Sequence, residues 1–140
     1  MQPIDIVRGV YTSHERRDTG GLVELLAPDV VWWQARNHPY ASPEGPWRGV
    51  AEVVANVVEP VNGDWHAFIT RVDDMLDAGD QVIVRGEYTG TYAATGRAIA
   101  APVCAIYTVR DGRITEFRQY VDTAQIRWAM GMSDESLRTP

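Results

Sequence analysis

The second half of the chain contains four extended runs that are separated only by short turns. The runs are "WHAFITRVDDML", "QVIVRGEYTGTY", "RAIAAPVCAIYTV" and "RITEFRQYV", and the turns are "AGD", "ATG" and "RDG". β-branched and aromatic residues are frequent in the runs, and each turn contains Gly, which is typical of antiparallel strands joined by tight connections. The chain therefore has to fold around a meander of four long strands.

Helical patterns precede these strands. In the first segment a set of mostly apolar residues recurs at helical spacing, which predicts an amphipathic helix with its stripe facing the core; they are Ile4, Val7, Val10, Tyr11 and His14. A shorter helix is expected over about 22–27, where "PD" stops it, followed by a strand at "VVWWQA". A stripe of valines over 50–58 predicts a third helix that Pro60 ends, and a last helix is expected over about 123–130.

Helices first and strands afterwards predict an α+β fold, in which a curved antiparallel sheet forms a cone around N-terminal helices. With 140 residues, 45% of them hydrophobic, the chain fits one domain over 1–140 with a core at about 4–131. We expect the tail, 132–140, to be frayed. The mouth of such a cone is the default place for a small ligand.

Composition excludes several function classes. A formal charge of −6 without any basic run argues against nucleic acid and against an anionic membrane surface as partners. Because Cys104 is the single cysteine, no intramolecular disulfide can form. The chain also lacks an apolar stretch of ~20 residues and the layout of a secretory signal. We therefore expect a cytoplasmic protein whose partner is a small apolar organic molecule.

Motifs for metals and cofactors are missing from the sequence. His14, His38 and His66 lie on different predicted elements without ligand spacing, so no metal site is expected. No phosphate-binding loop or dinucleotide fingerprint occurs either. We expect the protein to use no cofactor.

Ionisable residues alternate along two of the strands. Arg85 and Glu87 share one face of their strand, and Tyr120 and Asp122 share one face of the last. If both faces look into the cone, Arg85 lies between two carboxylates and holds them ionised, so that Asp122 acts as a base. The alternative is structural. Asp122 would cap the last helix together with Gln125, and Arg85 with Glu87 would be an exposed cross-strand pair of little energetic weight.

Several residues are candidates for the wall of a pocket. The long loop "RNHPYASPEGPWRG" contains His38, Tyr40 and Trp47, which we expect near the mouth of the cone; a plain surface position is the alternative for His38. The other candidates are aromatic or polar residues on the predicted elements, namely Tyr11, Trp32, Gln34, Cys104, Tyr120 and Trp128. Large aromatics are core residues by default, and Cys104 in an apolar strand is typical of a buried, inert thiol.

The segments "LAPDVVW", "GDQVIVRGEYTGTY" and "TGRAIAAPVCAIYTVRDGRITEFRQYVD" resemble the SnoaL-like branch of the nuclear transport factor 2-like superfamily, over about residues 4–131. The resemblance implies the cone fold. It also implies a homodimer through the outer sheet face, where we expect Phe117 and Val121. The superfamily hosts isomerases, cyclases, dehydratases, hydrolases and non-enzymatic binding modules.

Three branches of the superfamily imply different site residues. Similarity to polyketide cyclases implies that Asp122 is the general base. Similarity to limonene epoxide hydrolases aligns their Arg-x-Asp motif with Arg85 and Glu87, but their water-holding Tyr and Asn fall on Trp32 and Gln34. Trp cannot replace a phenol that accepts as well as donates, which argues against epoxide hydrolysis.

The comparison with ketosteroid isomerases is negative, because their catalytic positions fall on Val10, Gln34 and Cys104, which cannot do that chemistry. We therefore expect a cofactor-independent acid/base enzyme of the cyclase, dehydratase or isomerase type. Epoxide hydrolysis and a non-catalytic ligand-binding or dimerisation module are the alternatives.

Overall fold

The computed structural model describes residues 1–132. The elements follow one another as α1 (Pro3–Glu15), α2 (Thr19–Leu25), β1 (Leu26–Trp33), β2 (Trp47–Arg48), α3 (Val50–Val53), a π-helical segment (Val54–Val58), α4 (Glu59–Asp64), β3 (Trp65–Ala78), β4 (Gln81–Tyr92), β5 (Ala98–Arg110), β6 (Arg113–Val121) and α5 (Thr123–Ala129). The frayed tail that the sequence predicts lies, from residue 133 onward, outside the described residues.

The strands form one six-stranded sheet in the order β2-β1-β6-β5-β4-β3. The four long strands pair antiparallel in chain order, while β1 runs parallel to β6. Four register shifts interrupt three of the ladders, and two of them lie in β3, at His66/Ile69 and Val72/Asp74. Because bulges bend a strand and increase its twist, the sheet curves around the helices. The predicted α+β fold with a curved sheet is confirmed.

The two faces of the sheet differ sharply in burial. Val82 and Val84 of β4 and Ala105 and Tyr107 of β5 are almost fully buried on the inner, concave face. The residues that alternate with them along each strand therefore lie on the outer face. On β6 the inner residues include Phe117, which is 3% exposed.

The outer-face position expected for Phe117 and Val121 is therefore wrong. Phe117 stacks on Trp32 with ring centroids 3.9 Å apart, and Val121 packs against a second buried cluster that contains Trp65 and Ile126. The physical reason is that both residues alternate with Arg118 on β6, and the apolar set takes the concave side.

The helices cover the concave face. Ile6, Val7 and Val10 of α1 pack with Val53 and Val57 against the inner residues of the sheet, and this forms the main core. The second cluster lies beneath α5. The predicted stripes of the first and third helices are thus the ones that become buried.

The third helical region does not end at Pro60, as the sequence predicts, but continues to Asp64. Proline cannot donate the usual helical hydrogen bond and its ring crowds the preceding turn. Here a π-helical segment (Val54–Val58) comes directly before it, and the Glu59 N–H donates to the Val54 carbonyl, five residues back. The wider turn accommodates Pro60 in the first turn of α4. Nor does "PD" stop the second helix, because Pro28 and Asp29 lie inside β1.

Within residues 1–132, no helix combines the length and the apolar character that crossing a bilayer requires.

Candidate functional site

A cavity of about 110 Å³ lies between the concave face of the sheet and the helices, and we call it the inner cavity. Its wall is mostly apolar, with Val10, Trp32, Val57 and Phe117 among its members. The polar side chains that line it are His14, Gln34, His38, Thr70, Tyr88, Tyr107 and Gln119. Among the described residues that line it there is no Asp or Glu. Apolar walls with a few convergent polar groups are typical of small-molecule sites.

Gln119 and Tyr88 form a chain of hydrogen bonds at this cavity. The backbone N–H of Ala35 donates to Gln119 Oε1 at 3.2 Å, which orients the amide. Gln119 Nε2 then donates to the Tyr88 hydroxyl oxygen at 2.9 Å. Since the Tyr88 oxygen accepts this bond, its own hydrogen is available to a ligand. Burial raises the pKa of Tyr88 to about 12, so the phenol stays a donor at neutral pH.

His38 also presents a donor. The backbone N–H of Tyr40 donates to His38 Nδ1 at 3.0 Å, so the ring hydrogen of the neutral imidazole is on Nε2. Burial lowers the pKa of His38 to about 4, and the ring is therefore neutral at neutral pH. The expected position of His38 near the ligand site agrees with this geometry, whereas the alternative of a plain surface histidine does not, because the ring is buried.

The loop that carries His38 is held in place by Tyr40. The Tyr40 hydroxyl donates to Asp64 Oδ2 at 2.6 Å and accepts from Trp65 Nε1 at 3.2 Å. The indole N–H of Trp47 donates to the Tyr40 carbonyl at 2.8 Å. Tyr40 and Trp47 thus anchor the loop rather than line the inner cavity.

His14 supplies an unprotonated nitrogen. Its Nε2 lies 2.9 Å from the Phe68 carbonyl oxygen. A carbonyl can only accept, so Nε2 carries the hydrogen and Nδ1 has a free lone pair in the neutral ring. Burial lowers the pKa of His14 below its usual value. Nδ1 is therefore the ring atom that can accept a proton from a bound molecule.

Two further polar pairs complete the wall. Tyr11 and Tyr107 share a hydrogen bond of 2.9 Å between their hydroxyl oxygens, and burial raises the pKa of both phenols. Trp32 Nε1 donates to Gln34 Oε1 at 3.0 Å, so the amide nitrogen of Gln34 remains as a donor. The predicted pocket residues Trp32 and Gln34 line the cavity, and Tyr11 contacts it through Tyr107.

Arg85 and Glu87 do not join Asp122. The Arg85 guanidinium donates from Nε and Nη2 to the carboxylate of Asp74 at 2.8 and 2.6 Å, and Arg71 donates to Glu87 at 2.8 Å. Hydrogen bonding from Arg85 lowers the pKa of Asp74. The expected carboxylate–arginine–carboxylate set is therefore wrong.

The physical reason is the register of the sheet. Asp74 and Arg71 of β3 are the direct cross-strand partners of Arg85 and Glu87, while β6 is two strands away from β4, roughly 10 Å. These charges lie on the outer face in solvent, as the structural alternative supposed, and such pairs contribute little to stability.

Asp122 caps α5. Its Oδ1 accepts from the Gln125 backbone N–H at 3.3 Å and its Oδ2 accepts from Gln125 Nε2 at 2.9 Å. The cap that the sequence offered as an alternative is confirmed. Asp122 lies outside the described lining of the inner cavity, and its catalytic role stays a prediction.

A second and larger space of about 720 Å³, the outer cleft, lies beside the inner cavity. Its lining comes in part from the loop over 34–45 and also includes Trp33, Arg118, Tyr120 and Arg127. Gln34, His38 and Gln119 line both spaces and therefore lie at their common boundary.

The remaining predicted pocket residues lie outside the inner cavity. Cys104 lies between the inward residues Val103 and Ala105 of β5, so it is on the outer face and only half-buried. Tyr120 is 56% exposed and belongs to the outer cleft. Trp128 is exposed with the Arg97 guanidinium 5.0 Å from its ring centroid.

Sequence reasoning missed His14, Tyr88, Tyr107 and Gln119 as site residues. The available signal was their position on the apolar side of each element: His14 lies on the stripe of α1, and Gln119 alternates with the charged residues of β6. Within residues 1–132, no three His, Cys, Asp or Glu side chains converge in a way that could hold a metal ion.

Comparison with known proteins fits this architecture. The sequence model of a SnoaL-like domain matches residues 7–117. None of the curated proteins compared with the chain matches it. Among solved structures, a nuclear transport factor 2-like protein from Burkholderia thailandensis E264 is 32% identical, with 93% of this chain and 98% of that chain covered and a TM-score of 0.86.

Two further solved structures carry more specific descriptions. IdmH, a candidate polyketide cyclase from Streptomyces antibioticus, is 26% identical, with 94% of this chain and 100% of that chain covered and a TM-score of 0.78. TerC, co-crystallised with polyporic acid, is 20% identical over 92% of this chain and 98% of that chain, with a TM-score of 0.80, and shows the fold alone. The expected resemblance is confirmed, and the chain belongs to the family of SnoaL-like domains.

Proposed function

We propose that the inner cavity binds the carbonyl group of a small, mainly apolar organic compound and catalyses proton transfer next to that carbonyl without a cofactor. The observation that carries the proposal is that two kinds of group line the same cavity. Tyr88 has a free hydroxyl hydrogen because Gln119 donates to its oxygen, and His14 has a free Nδ1 because its Nε2 is used by Phe68.

The chemistry follows from these roles. His14 Nδ1 removes a proton from the carbon beside the carbonyl, and the electron pair moves onto the carbonyl oxygen. That oxygen accepts hydrogen bonds from the Tyr88 hydroxyl and from His38 Nε2–H, which stabilise the developing negative charge. Neither donor competes with His14 for the proton, because His38 Nδ1 already accepts from the Tyr40 N–H and the Tyr88 oxygen already accepts from Gln119.

The proton on His14 then has two possible destinations. Returned to another carbon of the same molecule, it completes an isomerisation. If the enolate carbon instead attacks a second carbonyl, the proton goes to the new alkoxide and a ring closes; loss of that hydroxyl as water would be a dehydration. The description of IdmH as a candidate polyketide cyclase supports the ring-closing outcome.

Asp122 is the rival base. It is the residue that the sequence predicts for this role, but both of its oxygens accept hydrogen bonds from Gln125. We therefore assign the base to His14 and keep Asp122 as the competing hypothesis. The epoxide hydrolase alternative is not proposed, because Arg85 and Glu87 pair on the outer face with residues of β3.

A non-catalytic ligand-binding module is the second candidate. The outward pairing of Arg85 with Asp74 favours it, since no charged group of that set faces the cavity. Under this hypothesis Tyr88 and His38 bind a carbonyl compound and His14 is only a buried acceptor.

A homodimer through the outer sheet face is part of the proposal. Leu76, Ile83 and Ile106 are neighbours across β3, β4 and β5 and alternate with buried inner residues. Leu76 is 42% exposed. We call these residues the outer apolar row, and burial of such a row against a second copy would remove apolar surface from water.

Exchange of the protons beside a carbonyl tests the proposal before any product is known. A panel of ketones that includes 2-tetralone, 1-phenyl-1,3-butanedione and a β-hydroxy ketone is incubated with the protein in D₂O, and loss of the proton signal is followed by NMR. Catalysed exchange supports an enzyme. Binding of the same ketones without exchange supports the ligand-binding module.

A further inference from the structure

We propose that the outer cleft binds a carboxylate group of the ligand through Arg36 and Arg118, so that the preferred ligand is an organic acid that also carries a carbonyl. This inference rests on the proposed function for the inner cavity. It adds a second recognition site and a substrate class.

The charge of the residues that line the cleft is opposite to the net charge of the chain. The protein has 19 acidic residues and 13 basic ones, all of them arginine. Among the described residues that line the outer cleft there are three arginines, Arg36, Arg118 and Arg127, and no Asp or Glu. Positive charge gathered in a concave surface of an acidic protein attracts an anion.

Arg118 is arranged for planar recognition. Its guanidinium lies over the Trp33 ring, 4.8 Å from the centroid, and its Nε donates to Glu116 Oε1 at 3.2 Å. Stacking and this bond fix the plane of the group, while its two terminal nitrogens remain as a fork that matches a carboxylate. Glu116 also offsets part of the charge, which favours a singly charged anion over a phosphate dianion.

Arg36 contributes a second cation to the lining of the cleft. It is exposed, and within the described part of the chain it forms no ion pair. Arg127 plays a different part, because it is buried and its Nη1 donates to the Asn37 carbonyl at 3.2 Å. That bond supports the backbone next to Arg36, and we assign Arg127 a positioning role.

The two spaces are sized for two parts of one molecule. The inner cavity, about 110 Å³, is smaller than the roughly 300–1,000 Å³ of pockets for drug-sized ligands. The outer cleft, about 720 Å³, falls within that range. Because Gln34, His38 and Gln119 line both, a ligand with its carbonyl at Tyr88 extends past them into the cleft, toward Arg118.

Binding of a matched acid and amide tests this without any turnover. The probes are 2-naphthoate and the neutral 2-naphthamide, with affinities from calorimetry at low and at physiological salt. We expect 2-naphthoate to bind about fivefold more tightly than the amide, as for a partly exposed ion pair, and the preference to shrink with salt. Arg36→Gln and Arg118→Gln should each remove most of that preference and leave amide binding unchanged.

Two further variants make the test specific. Arg110→Gln is the matched control, because Arg110 lies at the end of β5, near Asp80 and outside the cleft, and it should change neither affinity. Glu116→Gln should tighten 2-naphthoate binding by about twofold or more, a gain that misfolding cannot produce. Three results would each overturn the inference. The two probes could bind equally, the cleft variants could behave like the control, or inorganic phosphate could displace 2-naphthoate at equal concentration.

The outcome is separate from that of the proposed function. The acid-over-amide preference compares two ligands in the same protein, so it can hold even if no ketone exchanges protons. Conversely, ketone exchange with no preference for the acid would sustain the proposed function and end this inference.

Discussion

Gln119 Nε2 donates a hydrogen bond to the Tyr88 hydroxyl oxygen over 2.9 Å, across the face of β4 and β6 that looks into the cavity. The amide cannot turn over without breaking the bond from the Ala35 N–H to its oxygen. The pair therefore presents one hydroxyl hydrogen to the inner cavity, and this hydrogen is the donor on which the proposed chemistry depends.

Tyr88→Phe should lower the rate of proton exchange by about 10²–10³-fold, because it removes one donor to the developing oxyanion. Stability should fall by about 1–3 kcal/mol, since the N–H of Gln119 loses its partner. The rate is read from exchange of the best ketone in D₂O and stability from urea unfolding. Tyr92→Phe keeps the ring contact with Trp65 and lies outside both the inner cavity and the outer cleft. It is the matched control and should change neither, and an unchanged rate in Tyr88→Phe would remove Tyr88 from the mechanism.

Asp122→Asn separates the two candidate bases. Asn caps helices about as well as Asp. The free energy of unfolding should therefore fall by only about 1 kcal/mol, from the loss of the hydrogen bond with the Gln125 side chain. If His14 is the base, exchange should stay within about twofold of the parent. A loss of ~10²–10⁴-fold would instead identify Asp122 as the base, as the sequence predicts.

His38 should make stability depend on pH. Its pKa is lowered by burial to about 4, below the value of the unfolded chain, so the folded state disfavours the charged ring. The contribution of the neutral His38 ring to the free energy of unfolding is fully present above pH 6.5. This contribution, roughly 3 kcal/mol, is lost as pH falls toward and through 4. In His38→Asn, whose oxygen can still accept from the Tyr40 N–H, the unfolding free energy should fall less between pH 7 and pH 4.5 than in the parent.

The exposed His66 supplies the control for this measurement. His66→Asn should keep the pH dependence of the parent. A His38→Asn profile that coincides with the parent's would mean that the buried ring does not oppose protonation.

The outer apolar row predicts a dimer. Light scattering at micromolar concentration should give twice the mass of the chain, and Ile83→Arg should give the monomer, because the charge lies at the centre of the row. Ser13→Arg, on the helical side of the molecule, should remain dimeric. A monomeric parent protein would contradict the dimer and leave the cavity unaffected.

Much of the fold could be predicted from the sequence because long strands with alternating residues and short turns have few ways to pair. Alternation along β6 separates Phe117 and Gln119 from Arg118 and Tyr120, but it is equally consistent with either set facing inward. The pairing proposed for Arg85 and Asp122 requires the charged side to face inward, and burial of Phe117 shows the opposite.

The site was harder to predict because its contacts join residues far apart in the chain. The choice of Asp74 as the partner of Arg85 depends on a bulge in β3 that shifts the register. The free hydrogen of Tyr88 depends on a bond from Ala35 to Gln119, 84 residues away. By contrast, Asp122 with Gln125 is a local pattern, and its cap could be predicted.

The base is the central claim, and His14→Gln tests it most directly. Gln can keep a donor toward the Phe68 carbonyl but has no nitrogen that accepts a proton, while His66→Gln controls for loss of a histidine. The measurement is exchange of the best ketone in D₂O from pH 4 to pH 8.

We predict that the parent loses activity toward acid with a midpoint below 6.5, because burial lowers the pKa of His14, and that His14→Gln is slower by ~10²–10⁴-fold at pH 7. A His14→Gln protein that exchanges the ketone as fast as the parent would contradict the account.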